Sequence, residues 1–163
     1  MFLPKCDDYD ALIANFHWDI PENFNIGRAV ADDWAERDPG RLALQHFDLD
    51  GHHRQMSYGE LRDRSNRLAS GLRSLGVGPG DRVAILLPQC FETVIAHVAI
   101  YKLGAIALPL ALLFGADGLE YRLRDSGAVA VITNAFGLSK LADIRSGLAD
   151  LAHIVVVGPE GHD

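Results

Sequence analysis

Hydrophobic and polar residues follow two different periods along the second half of the chain. Between residues 82 and 157, unbroken apolar runs of strand length alternate with segments of helical length and character. The apolar runs predict strands at residues 83–87, 105–108, 128–133 and 153–157. The segments between them predict helices at residues 91–103, 119–125 and 138–145. Apolar strands separated by helices are typical of a mostly parallel, doubly wound α/β sheet with flanking helices and right-handed crossovers.

A long amphipathic helix is predicted directly before this α/β region. Ser57 and Glu60 have the spacing of a capping box, in which the serine oxygen accepts from a backbone amide and the glutamate accepts from the serine amide. From Tyr58 to Leu75 apolar residues recur every three or four positions, and Gly76 follows as a left-handed helix end. The helix is therefore expected to begin at Tyr58 and to pack one stripe on a core.

The first 55 residues predict a smaller region of two helices and a β-hairpin. Apolar residues at helical spacing indicate a first helix within residues 9–16, and a second helix is expected to begin after Asn25 and to stop at residues 38–40, Asp-Pro-Gly. The second helix is predicted to carry four residues on one face: Ile26, Ala29, Val30 and Trp34. An extended run at 42–44, a turn at 49–51 and a return run to residue 55 predict the hairpin.

These patterns predict a single incomplete domain. It consists of N-terminal helices and hairpin at residues 1–55, an α/β subdomain at 56–157 and a final segment at 158–163. The final segment breaks the pattern directly after a strand, where an α/β unit usually adds a covering helix. We therefore expect residue 163 to be a cut in a longer chain.

Composition excludes several classes of partner. The 163 residues are 48% hydrophobic and carry a formal net charge of −7, so the chain repels phosphate backbones and anionic lipid headgroups. No apolar stretch reaches the roughly 18 residues of a membrane span, and neither nucleic acid nor a membrane is an expected partner. Cys6 and Cys90 are too few for a disulfide framework or a zinc site, which is typical of a reducing compartment. We predict a soluble, cytoplasmic protein.

The glycine-rich run at residues 76–80, Gly-Val-Gly-Pro-Gly, is predicted to be a structural turn. A dinucleotide-binding loop follows a strand and opens a helix, whereas this run leaves a helix and enters a strand. Phosphate contact remains the weaker alternative. No Gly-x-x-x-x-Gly-Lys-Ser/Thr motif occurs, and none of Lys5, Lys102 and Lys140 adjoins a glycine-rich loop that would hold a triphosphate.

Candidate nucleophiles and metal ligands also have structural interpretations. Ser57 and Ser126 lie at predicted helix ends rather than on a strand-to-helix elbow, so both are interpreted as structural. The histidines lack partners at metal-ligand spacing, and no metal site is predicted. His97 is interpreted as a hydrogen-bonded core residue. A receiver-type phosphorylation domain would need carboxylates at the strand ends, which carry Leu-Pro and Ile-Thr instead.

Residues that follow the predicted strands are the candidates for ligand contact, because ligands of an open parallel sheet bind beyond the carboxyl ends of its strands. Gln89 and Cys90 follow the first strand, and Leu113 and Phe114 follow the second. The apolar pair has two interpretations: it lines a pocket for an acyl group, or it packs against another part of the protein. The second is favoured, since large apolar loops mark interfaces.

Eight short motifs occur in one order from residue 58 onward. They are residues 58–61 (Tyr-Gly-Glu-Leu), 65–69 (Ser-Asn-Arg-Leu-Ala), 75–77 (Leu-Gly-Val), 80–84 (Gly-Asp-Arg-Val-Ala), 87–88 (Leu-Pro), 102–105 (Lys-Leu-Gly-Ala), 109–110 (Pro-Leu) and 119–127 (Leu-Glu-Tyr-Arg-Leu-Arg-Asp-Ser-Gly). Together they resemble the N-terminal third of AMP-forming acyl-CoA synthetases, members of the adenylate-forming superfamily. Peptide-synthetase adenylation domains usually follow Pro-Leu with Asp-Pro, whereas Ala111 and Leu112 stand here. The resemblance therefore favours the short- and medium-chain acyl-CoA ligase branch.

The resemblance implies a two-step reaction. A carboxylate attacks the α-phosphate of Mg·ATP to give acyl-AMP and pyrophosphate, and the thiol of CoA then displaces AMP. The family's phosphate loop, which ends in Pro-Lys-Gly, its later nucleotide-binding motifs and its catalytic C-terminal lysine have no counterpart in these residues. ATP, Mg²⁺ and CoA are therefore expected to bind the full-length enzyme, and no catalytic or cofactor-binding residue is predicted here.

The same resemblance implies which partners the chain has. The expected partners are the remainder of its own chain and, in the full-length protein, a carboxylic acid. The 163 residues alone are expected to be inactive and to self-associate through uncovered apolar surface. The alternative is a stand-alone α/β binding or interaction module derived from the same family.

Overall fold

The computed structural model describes residue 5 and residues 7–18, 20–47 and 51–158. Helix α1 (Tyr9–Asn15) comes first, and a π-helical turn (Arg28–Asp32) then continues directly into α2 (Asp33–Arg37). Strands β1 (Leu42–Phe47) and β2 (His53–Ser57) form the predicted antiparallel hairpin, and the central residues 48–50 of its turn lie outside the described residues. The remaining elements are α3 (Tyr58–Ser74), β3 (Arg82–Leu86), α4 (Phe91–Lys102), β4 (Ile106–Pro109), α5 (Ala116–Ser126), β5 (Ala130–Thr133), α6 (Ala135–Ala142), a 3₁₀ turn (Arg145–Gly147) and β6 (His153–Val156).

Strands β3 to β6 form one parallel sheet in the spatial order β4-β3-β5-β6. The chain moves outward from β3 to β4, returns across the sheet to β5, and then continues to β6. This is the doubly wound α/β arrangement that the alternation of apolar strands and helices predicts, so the predicted fold class is confirmed.

Helices cover both faces of the sheet, and each face has its own core. Along β3, Val83 and Ile85 belong to the core beneath α3 and α4, whereas Ala84 and Leu86 belong to the core beneath α5 and α6. All four side chains are at most 2% exposed. Successive strand side chains point to opposite faces, so a strand covered on both faces needs apolar residues at every position. This explains the unbroken apolar run.

The structure confirms the start of α3 and the turn that follows it. The Ser57 hydroxyl oxygen accepts from the Glu60 amide at 3.3 Å, and the Glu60 carboxylate accepts from the Ser57 amide at 2.7 Å. Gly76 and Gly80 have φ angles of +91° and +82°, a conformation that favours glycine. The glycine-rich run thus leads from α3 into β3 as a structural turn.

The second N-terminal helix differs from the predicted one in which residues it buries. Ile26 and Val30 are 51% and 44% exposed, whereas Ala31 and Ala35 are buried. The cause is the π-helical turn, in which the Asp33 amide bonds to the carbonyl five residues earlier and shifts the face presented to the core. The stop after α2 is as predicted, because the chain becomes extended at Asp38.

Helix α6 also differs from its predicted range of residues 138–145. It begins three residues earlier because the Asn134 side chain accepts from the Gly137 amide at 2.9 Å and caps the helix. It ends at Ala142, and Arg145 lies in the 3₁₀ turn instead. An Asn cap just after a strand was the sequence signal for the earlier start.

Candidate functional site

The strand order places a topological switch point between β3 and β5. The connection from β3 leads to β4 on one side, and the connection from β5 leads to β6 on the other. The two connections diverge at the carboxyl ends of these strands and leave a crevice between them. Ligands of open α/β sheets bind in crevices of this kind, which makes this edge the candidate site.

A cavity of about 270 Å³ occupies this crevice. It is lined by loop residues that follow three strands, by the hairpin and by the first turn of α4: Leu87, Pro88, Gln89, Cys90, Glu92, Asn134, Val157, Gly158, His46 and Arg54. Ligand pockets usually start near about 300 Å³, so the crevice alone is the size of a small polar group or part of a larger ligand.

The N-terminus of α4 forms one wall of this crevice. Cys90 is the residue before the helix, and its side chain makes no capping bond to the helix amides. Its sulfur lies 3.4 Å from the Thr93 hydroxyl, which donates to the Pro88 carbonyl at 2.6 Å. The positive end of the α4 dipole therefore faces the crevice without a capping side chain, an environment that favours a negative or polar group.

Glu92 brings a carboxylate to the same wall, and Arg64 compensates its charge. The Arg64 guanidinium donates to Glu92 at 2.7 Å, and the Glu92 side chain is only 12% exposed. Burial raises the pKa of Glu92, but its own backbone amide and the charge of Arg64 together outweigh this effect. The net pKa is lowered, so Glu92 is ionised and held in an ion pair at neutral pH.

The hairpin supplies the opposite wall through His46 and Arg54. The Nε2 atom of His46 lies 3.1 Å from the Gln89 carbonyl oxygen, while its Nδ1 atom is buried without a hydrogen-bond partner among the described residues. The guanidinium of Arg54 lies 5.3 Å from the centre of the Phe91 ring. The crevice thus combines a compensated carboxylate with an arginine and an imidazole.

A second, larger cavity of about 550 Å³ lies between α4 and the end of β4. Its lining is mostly apolar and includes Leu87, Val94 and Leu110. Gln89 borders both cavities. His97 also contributes, with Nδ1 3.0 Å from the Thr93 carbonyl oxygen. The edge therefore offers a polar crevice next to an apolar groove.

The four residues expected to face a substrate occupy two different places on this edge. Gln89 and Cys90 come together in the crevice. Leu113 and Phe114 lie in the turn after β4 and line neither cavity. Leu113 is 94% exposed, whereas Phe114 is partly buried against the core beneath α5 and α6. The structure therefore brings the first pair together with the cavities but not the second.

Several residues of the crevice are absent from the sequence-based expectation, among them Asn134, His46 and Arg54. Asn134 follows β5 at the same edge, and the rule that identifies Gln89 would also have identified it. His46 and Arg54 come from the hairpin, and His46 is 43 residues from Gln89 along the chain. Their position depends on how the hairpin packs on α4, and nothing in the local sequence pattern signals it.

Two further features of the described residues concern metal binding and membranes. Within residues 7–158, apart from the gaps at 19 and 48–50, no three His, Cys, Asp or Glu side chains come close enough to hold a metal ion. None of the described helices is both long and apolar enough to cross a membrane.

The sequence profile of one protein family matches most of the chain. The family is described as "AMP-binding enzyme", and the match covers residues 31–162. This range includes the hairpin and the whole parallel sheet. It also contains all the residues that line the crevice.

Curated relatives of this chain include peptide synthetases and CoA ligases. The phosphinothricin tripeptide synthetase PhsC of Streptomyces viridochromogenes is 36% identical across 81% of this chain, and the match covers 12% of PhsC. The acetyl-coenzyme A synthetase of Streptomyces coelicolor is 31% identical across 90% of this chain and 24% of its own length. The crotonobetaine/carnitine–CoA ligase of Salmonella paratyphi A is 34% identical across 82% and 26%. The chain spans only 12% to 26% of the length of these relatives.

Solved structures with the same fold include an acyl-CoA synthetase and a CoA ligase. The Brucella canis acyl-CoA synthetase superposes with a TM-score of 0.82 at 28% identity, covering 97% of this chain and 30% of that protein. The anthranilate CoA ligase AuaEII, solved in complex with anthranoyl-AMP, superposes with a TM-score of 0.73 at 29% identity, covering 89% and 27%.

Proposed function

Because this chain belongs to the AMP-binding enzyme family, we propose that it is the N-terminal α/β subdomain of a cytoplasmic acid–thiol ligase. The proposed enzyme activates a short- or medium-chain carboxylic acid with ATP to acyl-AMP and pyrophosphate. It then transfers the acyl group to the thiol of CoA, so that one difficult condensation is divided into two displacements.

The observation that carries this proposal is the superposition on the Brucella canis acyl-CoA synthetase across 97% of the chain. A second neighbour, AuaEII, was solved with anthranoyl-AMP, an acyl adenylate of the kind that the proposed first step produces. The crevice is compatible with the same function, because it places polar side chains beside an apolar groove at the carboxyl edge of the sheet.

The residues of the carboxyl edge receive distinct roles in this proposal. Gln89 and Cys90 contact the substrate from the crevice. Leu113 and Phe114 contact either the acyl group or the remainder of the protein. None of these side chains is assigned a catalytic step, since none of them carries a positive charge that would hold a triphosphate. Lys102 is bound to Asp32, and Lys140 to backbone carbonyl oxygens.

Mg²⁺ would neutralise phosphate charge during the first step when it is bound. Among the described residues, no three His, Cys, Asp or Glu side chains lie close enough together to form a metal site. In the proposed enzyme, the ligands of Mg²⁺ and the groups that hold ATP come from other residues of the protein, as the family resemblance implies.

A peptide-synthetase adenylation domain is the second candidate, favoured by the 36% identity to PhsC. Such a domain would share the adenylation step but would pass an aminoacyl group to a carrier-bound thiol rather than to CoA. The absence of Asp-Pro after residues 109–110 argues for the acyl-CoA ligase. The two candidates differ in both the acid that they activate and the thiol that they acylate.

Exchange of labelled pyrophosphate into ATP tests the proposal directly. The natural full-length protein should catalyse exchange that depends on acetate, butyrate or octanoate, and should form the matching acyl-CoA when CoA is added. Exchange that depends only on amino acids, without acyl-CoA formation, would establish the second candidate. No exchange with any acid would contradict both.

The isolated chain provides the matched comparison. Residues 1–163 alone should show neither exchange nor ATP binding, because the cations and amides that adenylyl transfer requires are proposed to lie elsewhere. Exchange above background by these residues alone would overturn this assignment. If the natural protein proves to have the mass of 163 residues, the stand-alone binding module becomes the better description.

A further inference from the structure

The turn after β4 is held from a distance by the side chain of Lys140. The ammonium group of Lys140, in α6, donates to the carbonyl oxygen of Leu112 at 2.6 Å and to that of Phe114 at 3.0 Å. A lysine that bonds two carbonyls of one turn fixes the direction of both peptide groups. Hydrogen bonds from a charged donor are also stronger than those between neutral groups.

Arg122 holds the same turn from α5. Its guanidinium carbon lies 4.1 Å from the centre of the Phe114 ring, and one of its nitrogens donates to the Gly118 carbonyl at 2.9 Å. The ring is also partly buried against the core beneath α5 and α6. Phe114 is therefore held by its carbonyl oxygen and by its ring.

The start of the turn is fixed as well. The Leu110 amide donates to the Ile85 carbonyl at 2.9 Å and extends the pairing between β3 and β4, and the Phe114 amide closes the turn on the Ala111 carbonyl at 3.1 Å. Leu113 alone among residues 110–114 projects almost entirely into solvent, at 94% exposure. The result is a rigid turn with an apolar tip at the carboxyl edge of the sheet.

We propose that Lys140 is a positioning residue, which holds the turn of residues 111–114 so that Ala111, at the start of the turn, keeps its place in the wall of the apolar groove that would receive the acyl group. This inference rests on the proposed acid–thiol ligase function. Because the turn is ordered before the substrate binds, no part of the binding free energy is lost to ordering it. Lys140 itself touches neither substrate nor cofactor, and it acts through the turn.

Replacement of Lys140 in the natural full-length protein tests this role. Lys140→Gln removes the charge and shortens the reach, so the amides of Leu113, Phe114 and Gly115 should exchange with solvent about tenfold faster. The KM for the carboxylic acid should rise about tenfold while kcat changes little, because apparent affinity falls with the fraction of protein in the competent conformation. Lys140→Arg should restore most of both properties.

Lys5→Gln is the matched control, since it removes the same charge from an exposed position and should change neither exchange nor KM. Unchanged amide exchange in Lys140→Gln would contradict the claim that Lys140 holds the turn of residues 111–114. Faster exchange with an unchanged KM would overturn the positioning role. If Lys140→Gln does not fold, Arg122→Gln weakens the hold on Phe114 independently and should shift exchange and KM in the same directions, whereas no shift would contradict the proposal.

Failure of the proposed function is distinguishable from failure of this inference. If the unaltered protein turns over no acid, the proposed function fails and the substrate role of the turn fails with it. The exchange comparison between Lys140→Gln and Lys5→Gln needs no substrate and still decides whether Lys140 holds the turn.

Discussion

The two edges of the parallel sheet use their charged side chains differently. At the amino edge, Arg82 opens β3 and donates to the carbonyls of Ser126 and Gly127, at 2.7 and 2.8 Å, where α5 ends. Lys102 lies at the end of α4, which returns the chain to this edge. Its ammonium lies 2.5 Å from the Asp32 carboxylate and 2.9 Å from the Ser65 hydroxyl, and its side chain is only 10% exposed. These cations have partners within the protein.

At the carboxyl edge, polar groups border open space. Gln89 is exposed between two cavities, and Cys90 leaves the N-terminus of α4 without a side-chain cap. Here Lys140 bonds a turn rather than a carboxylate. Arg82 and Lys102 thus bond directly to other parts of the protein at the amino edge, whereas the carboxyl edge, despite the Arg64–Glu92 ion pair, keeps two cavities. We expect charge substitutions at the amino edge to act mainly on stability, and the carboxyl edge is the one available for ligands.

Replacement of Lys102 should give the largest loss of stability. Lys102→Met leaves the Asp32 carboxylate, only 22% exposed, without its partner. We expect the free energy of unfolding to fall by about 3 kcal/mol. Urea denaturation measures this change, and Lys5→Met at an exposed position is the control that should leave the midpoint unchanged.

A second substitution separates the lost ion pair from lost packing. Asp32→Asn combined with Lys102→Met should recover part of the stability, because no buried charge is left unpaired. Equal midpoints for Lys102→Met and the unaltered protein would show that the amino edge does not depend on this pair.

Gly137→Ala probes the packing of α6 on the carboxyl edge. A methyl group at Gly137 would overlap the Thr133 hydroxyl and lie 3.2 Å from the Leu86 carbonyl oxygen, so we expect a loss of about 2 kcal/mol from overpacking. Gly71→Ala in α3 is the control, because an added methyl there meets no described atom within 4 Å. The control should gain about 0.5 to 1 kcal/mol from helix propensity. Destabilisation by both substitutions to the same degree would contradict this account.

The sequence predicted the features that arise from local periodicity. The buried strands were readable because both faces of β3 are covered and every position must be apolar. The start of α3 was readable because the Ser57–Glu60 pair forms its bonds within four residues. The family was readable from the order of several short motifs, none of which is diagnostic alone.

The features that were not predicted depend on contacts between distant segments. Gly27, just before the π-helical turn, packs tightly on α4, where an added methyl group would lie 2.6 Å from the Lys102 side chain. His46 reaches the crevice only because the hairpin packs beside Gln89. Lys140 holds the turn after β4 from another helix. The spacing of residues along the sequence does not indicate such contacts between distant segments.

The capping box of α3 is more exposed than Lys102, so its loss should lower the free energy of unfolding by a smaller amount. Ser57→Ala removes the oxygen that accepts from the Glu60 amide. We expect a loss of about 1 kcal/mol, the usual value for an N-cap. Urea denaturation tests this, with Ser74→Ala as the control, because Ser74 bonds only within the last turn of the same helix. An unchanged midpoint for Ser57→Ala would mean that the exposed cap contributes nothing.

The smallest predicted effect is a pH dependence that comes from Glu60. The backbone amide of Ser57, followed by its hydroxyl, lowers the pKa of this carboxylate below its ordinary 4.5. A lowered pKa in the folded state gives a stabilisation that is complete above the unfolded value and disappears as the pH falls through the folded value. Glu60→Gln still accepts from the Ser57 amide but does not titrate, so its stability should fall less between about pH 6 and pH 3 than that of the unaltered protein. Glu92, whose pKa is also lowered, titrates in both proteins, and the difference between the two urea midpoints therefore isolates Glu60. If the two proteins lose stability in parallel as the pH falls, the charge of the Glu60 carboxylate adds nothing to the capping box. The N-terminus of α3 would then be stabilised by the Ser57 side chain alone.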